Sequence, residues 1–182
     1  MTDYFALLDQ PRAPWLDPAA LKEVFHRKTL EQHPDSTRST EGGGFAQLNE
    51  AYQVLQNPKR RLHHLLSLEN RAPSAHQTAP ADLQELFLQI GALSQSAAQL
   101  LEKARIASNP LSKSLLKADM VATQKEVRAL RDKIQELNAA ADARLQQTGM
   151  RQVEELTDLY QRFAYLGRWS TQLDELAFQL SM

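Results

Sequence analysis

The chain has 182 residues, 42% of them hydrophobic, so it can bury either one large core or two small ones. Its 21 Lys and Arg stand against 22 Asp and Glu, which argues against a chain-wide field for nucleic acid or membrane and makes any charge-driven docking local. There is no cysteine, which excludes disulfides, thiolate catalysis and cysteine-ligated metal and is compatible with a reducing compartment.

Leu, Ala, Gln, Glu, Lys and Arg are abundant, there are only 6 glycines, and β-branched runs are missing, so the expected fold class is all-α. The N-terminal Met1-Thr2-Asp3-Tyr4 lacks a basic segment leading into an apolar core. No apolar stretch approaches the ~18 residues that a membrane span needs. A soluble, cytoplasmic protein is expected.

Tyr4 to Leu8 reads as a short apolar helix closed by the Pro11 to Pro14 turn. Asp17, a plausible N-cap, and Pro18 open a longer helix whose apolar residues Leu21, Val24, Phe25 and Leu30 recur mainly three and four apart. That pattern stops at Pro34, whose ring fixes φ and biases His33 out of the α region. Ser36 to Gly44 is polar and glycine-rich, and Phe45, Leu48, Ala51, Tyr52 and Leu55 then restart the helical period. His33-Pro34-Asp35 is therefore placed at the start of a loop joining two antiparallel helices. Phe5, Leu8, Leu21, Val24, Phe25, Leu48, Tyr52 and Leu55 should form a small core. Asn57-Pro58 ends the third helix, and a fourth runs from Pro58 through Arg61, Leu62, Leu65 and Leu66.

Composition then shifts. Glu69 to Pro80 holds two prolines and small residues and is the best linker candidate. Three long helical patterns follow. Their seams are Leu83, Leu86, Ile90, Leu93, Ala97, Leu100 and Ala104; Leu116, Met120, Thr123, Val127, Leu130, Ile134, Leu137 and Ala141; and Leu156, Leu159, Phe163, Leu166, Ser170, Leu173, Ala177 and Leu180. Ser108-Asn109-Pro110 and Thr148-Gly149 supply start and stop signals between them, so an antiparallel three-helix bundle is expected. Packing alone explains most seam residues, and three seams of similar length can satisfy one another without self-association. Function must be carried by residues off the seams.

Asp3-Tyr4-Phe5-Ala6-Leu7-Leu8, the helix Leu21 to Lys28, His33-Pro34-Asp35 and Leu48-Asn49-Glu50-Ala51-Tyr52-Gln53-Val54-Leu55-Gln56-Asn57-Pro58 follow one another at the spacings of a J-domain. Over roughly the first 70 residues the chain resembles that family. The resemblance implies a co-chaperone, not an enzyme, that docks on a heat-shock chaperone ATPase of the DnaK/HscA class and accelerates ATP hydrolysis. With Arg61-Leu62-His63-His64-Leu65-Leu66-Ser67-Leu68 and the final Tyr165-Leu166-Gly167-Arg168-Trp169, it looks like the HscB type, the iron-sulfur cluster co-chaperone. The expected organisation is a J-domain over 1–72, a linker over 73–80 and a client-binding bundle over 81–182.

In that picture Pro34 stiffens the turn, Asp35 offers a carboxylate suited to a bidentate arginine, and His33 supplies a ring that packs and hydrogen-bonds. Lys22, His26, Arg27 and Lys28 make a basic face suited to an acidic patch on the chaperone; without the tripeptide they would read as an ordinary solvated face. The resemblance places Leu86, Phe87, Ile90 and Tyr165 at positions that hold an iron-sulfur scaffold protein. It puts Gly91, Ser94 and Ala98 where the family carries acidic residues, a departure that leaves open an adaptor for a different client.

Catalysis by His26, His33 and Asp35 is the weaker alternative. Their spacing matches no zinc motif, and Gly42-Gly43-Gly44 lacks the lysine and hydroxyl of a phosphate-binding loop. No metal or cofactor is expected.

Overall fold

In the computed structural model, the described residues are 2–31, 43–71 and 80–181. Every regular element among them is helical: α1 Tyr4–Leu7, α2 Pro18–Glu31, α3 Gly43–Leu55, α4 Pro58–Leu68, a 3-10 turn at Ala81–Leu83, α5 Gln84–Ile106, α6 Pro110–Gln147 and α7 Val153–Gln179.

The starts of α1, α2, α4 and α6 follow capping chemistry. The Asp3 carboxylate accepts from the amides of Phe5 and Ala6 and is itself held by Arg12 at 2.8 Å. Asp17 Oδ1 accepts from Ala19 N at 2.9 Å, Asn57 Oδ1 from Arg60 N at 3.0 Å, and Asn109 Oδ1 from Leu111 N at 2.8 Å. In each of these last three the following residue is proline, which has no amide to satisfy. Asp9 and Asn70 lie at φ 49° and 56°, a region that Asp and Asn tolerate better than most residues, and each follows a helix end.

The chain divides into two compact units: Met1–Gln77 with Asp142–Gln161, and Thr78–Ala141 with Arg162–Met182. In the first, Phe5, Leu8, Leu16, Leu21, Leu48, Ala51, Leu55 and Leu65 form the core, with Phe25, Tyr52 and Met150 packed against it. Phe25 and Tyr52 stack at 4.3 Å and pin α2 to α3. Met150 comes from the turn between α6 and α7, so the tip of that hairpin joins the N-terminal helices, a grouping that no periodicity announces.

In the second unit the seams of α5, α6 and α7 share one core, from Leu83 to Leu100, Val127 and Ile134, and Leu166 to Leu180. Cross-helix bonds fix the directions. Ser94 pairs with Gln172 and Asp82 with Arg162, so α5 and α7 run parallel. Gln124 reaches the carbonyl of Leu180 and Arg131 reaches Asp174, so α6 runs against α7. The expected antiparallel arrangement of consecutive helices is present.

Candidate functional site

The basic face of α2 is set by what the helix buries. Leu21 points into the core and Phe25 stacks on Tyr52, which leaves Lys22, His26 and Arg27 exposed on the outer side. Lys28 is partly covered, its ammonium 2.9 Å from the carboxylate of Asp9, and Arg27 approaches the same carboxylate at 3.9 Å. Asp9, just beyond α1, thus tethers the last turn of α2 and takes up part of its positive charge. Lys22 and His26, one turn apart, face solvent. Toward the α2–α3 connection Leu30 and Phe45 are also exposed, adding apolar surface beside the cationic one. His33, Pro34 and Asp35 lie outside the described residues.

Two polar side chains inside the first unit escape sequence reasoning because a helical period marks only apolar positions. Arg61 is 3% exposed; its Nε donates to the carbonyl of Pro14 at 2.8 Å and an Nη donates to that of Leu55 at 2.7 Å. Burial pulls its pKa down to about 10 against the opposing field of Asp142, so it remains charged at neutral pH. His64 is equally buried, accepts the Tyr4 amide at Nε2 (3.1 Å) and stacks on Tyr4 at 4.6 Å and Phe5 at 5.7 Å. Both residues hold α4 against the N-terminal segment.

On α5 the three client-position residues Leu86, Phe87 and Ile90 separate, and Leu88 joins the exposed side. Leu86 and Ile90 are 2% and 1% exposed and belong to the bundle core, so they present no surface to a partner. Phe87 and Leu88 are 56% and 67% exposed. Phe87 lies 6.3 Å from the ring of Trp169, which also meets Tyr165 at 5.6 Å, while the Arg168 guanidinium sits 5.5 Å over Tyr165. An aromatic patch thus joins α5 to α7 around Phe87 and Tyr165. Gly91 and Ala98 are exposed and uncharged, and Ser94 is bonded to Gln172, so this face carries no carboxylate at those positions. Among the described residues no helix is long and apolar enough to cross a membrane, and no group of three or more His, Cys, Asp or Glu could hold a metal ion.

A DnaJ domain family model matches residues 3–64, the stretch that holds α1 to α3, the basic face and most of α4. Residues 3–64 form a DnaJ domain. The chaperone protein DnaJ of Caulobacter vibrioides is 40% identical over 63 residues, and that of Ureaplasma parvum is 32% identical over 62. Each match takes in 34% of this chain and spans only 16% of the curated relative's length. Beyond the DnaJ domain the likeness is one of fold. Chaperone HscB from Vibrio cholerae superimposes with a TM-score of 0.54 at 20% identity, covering 98% of this chain and 99% of the other. The human co-chaperone protein HscB gives 0.50 at 19% identity, covering 96% and 82%. The DnaJ domain is thus followed by helices with the HscB architecture.

Proposed function

We propose that this protein is a cytoplasmic J-domain co-chaperone that stimulates ATP hydrolysis by a DnaK/HscA-class chaperone and brings it a client held on the C-terminal helices. The observation that carries this reading is the DnaJ domain at 3–64 with a solvent-facing basic stripe on α2. His33, Pro34 and Asp35, with Lys22, His26, Arg27 and Lys28, form the docking surface. The hydrolytic groups and the nucleotide belong to the chaperone. The co-chaperone acts by binding the hydrolysis-competent arrangement better than the resting one, which shifts the population toward it. The division into a J-domain over 1–72, a linker over 73–80 and a client-binding bundle over 81–182 belongs to the same proposal.

The client in this reading is an iron-sulfur cluster scaffold protein, met by the patch around Phe87 and Tyr165. Its support is the HscB-like architecture together with large aromatic and aliphatic groups left in solvent. Uncharged Gly91, Ser94 and Ala98 favour a second reading, an adaptor for a client that needs no acidic rim.

Charge reversal tests the docking surface. Lys22→Glu should weaken the concentration dependence of ATPase stimulation about tenfold at low salt, with the difference narrowing as salt rises. Equal stimulation by wild type and variant at every salt concentration contradicts a role for this face.

A further inference from the structure

A cavity of about 270 Å³ opens in the first unit, and none of its lining residues belongs to α2. Four rings line it: Tyr4 from α1, His63 and His64 from α4, and Tyr160 from the first turns of α7, with the side chain of Val54 among them. Lys59 and Arg60 complete the lining, and no carboxylate takes part. Two acids act on the lining rings: burial and then a hydrogen bond with Glu50 raise the pKa of the Tyr4 hydroxyl, and the field of Asp3 reaches His64.

Core packing explains only part of this assembly. The buried His64, stacked between Tyr4 and Phe5 and accepting the Tyr4 amide at Nε2, fixes the half-buried Tyr4 ring in place as a preformed wall. His63 and Tyr160 meet at 5.9 Å in a tilted contact and contribute two more ring surfaces, His63 being exposed and Tyr160 half-buried. Lys59 and Arg60 are both exposed and have no ion pair among the described residues; the one bond of the Arg60 guanidinium is a long 3.4 Å contact to the carbonyl of Gln53. The site therefore offers flat aromatic surface, which planar rings stack on, next to two cations, which take phosphate oxygens.

We propose that this cavity binds a nucleoside monophosphate, its base stacked on the aromatic walls and its phosphate on Lys59 and Arg60. Inorganic phosphate would leave the ring surfaces unused, and an uncharged nucleoside would leave the cations unused. The cavity is smaller than the usual range for drug-sized ligands, about 300–1,000 Å³, which limits it to a single nucleotide unit. The site is separate from the residues proposed to dock on the chaperone and stands or falls independently of that function.

The experiment is a titration of the isotopically labelled full chain with AMP, adenosine and inorganic phosphate, followed by amide and ring NMR signals of Tyr4, His63 and Tyr160. AMP should shift these signals saturably, adenosine should bind about tenfold more weakly for want of the charge-assisted bonds, and phosphate alone should not saturate them. Lys59→Ala with Arg60→Ala, both at exposed positions, should bring AMP down to the affinity of adenosine. Tyr160→Leu should weaken both, with helicity monitored by circular dichroism. Absence of saturable AMP shifts overturns the proposal. So does phosphate binding as tightly as AMP, which would leave only a basic patch, or AMP binding unchanged in the double variant.

Discussion

His64 is a histidine used as a neutral acceptor. Its Nε2 takes the Tyr4 amide, so the proton must reside elsewhere on the ring, and burial lowers its pKa; the field of Asp3 opposes that shift, and His63 and Arg12 reinforce it. A folded-state pKa below the ordinary 6.5 means that the unfolded chain takes up the proton first as pH falls. The stabilisation is complete above about pH 6.5 and is lost progressively from there down to the lowered folded-state value. Urea midpoints measured between pH 7.5 and 5 should fall over that window, and His64→Phe should flatten the fall; a midpoint that rises on acidification contradicts the assignment. Arg61 acts in the opposite chemical state, as a buried cation that satisfies two carbonyls. Arg61→Met removes both charge-assisted bonds and leaves the Pro14 and Leu55 oxygens in an apolar setting, at a cost of about 2–4 kcal/mol. Denaturant unfolding checks that figure, and a change below about 0.5 kcal/mol would show that water replaces the guanidinium there.

At the scale of the element, α5 keeps its two faces apart. Leu173 of α7 is fully buried where it meets the shared core, and Leu173→Ala should cost about 2–5 kcal/mol as a cavity opens. Phe87, more than half exposed, should cost less than about 1 kcal/mol on truncation to Ala, yet weaken capture of an iron-sulfur scaffold protein. Parallel calorimetry of unfolding and of scaffold binding separates the two effects. A large stability loss at Phe87 would make it a core residue, and wild-type failure to bind the scaffold at micromolar concentrations would favour the adaptor reading. The seams themselves were readable because a buried helical face must repeat its apolar residues every three or four positions. Trp169 and Leu176, also buried, lie three residues beyond the seam members Leu166 and Leu173, so the apolar stripe of α7 is wider than a two-per-heptad pattern suggests.

Across the whole molecule, helix class could be read from composition, and the starts of α2, α4 and α6 from proline and its capping neighbour, since Asp17, Asn57 and Asn109 each precede one. Which seam meets which partner could not. Leu145, Leu156 and Leu159 continue the patterns of α6 and α7, but they lie in the segment that groups with the N-terminal helices, and periodicity along a helix carries no information about the surface it faces. The same limit hid Arg61 and His64, whose polar character resembles a solvated face until the carbonyl and amide they serve are placed beside them. Of the proposed docking surface, the cationic stripe of α2 was legible, whereas the sharing of Lys28 and Arg27 with Asp9 depends on a contact across the α1–α2 connection.

In the proposed function this DnaJ domain drives a chaperone's ATPase through His33-Pro34-Asp35. Single-turnover ATP hydrolysis by a DnaK-class chaperone from the same source measures it directly, with the full chain and its His33→Gln variant compared at matched helicity and unfolding midpoint. The wild-type chain should raise the hydrolysis rate severalfold while the variant leaves it at the chaperone's own basal value. Equal stimulation by the two proteins would contradict a role for the tripeptide in driving the ATPase.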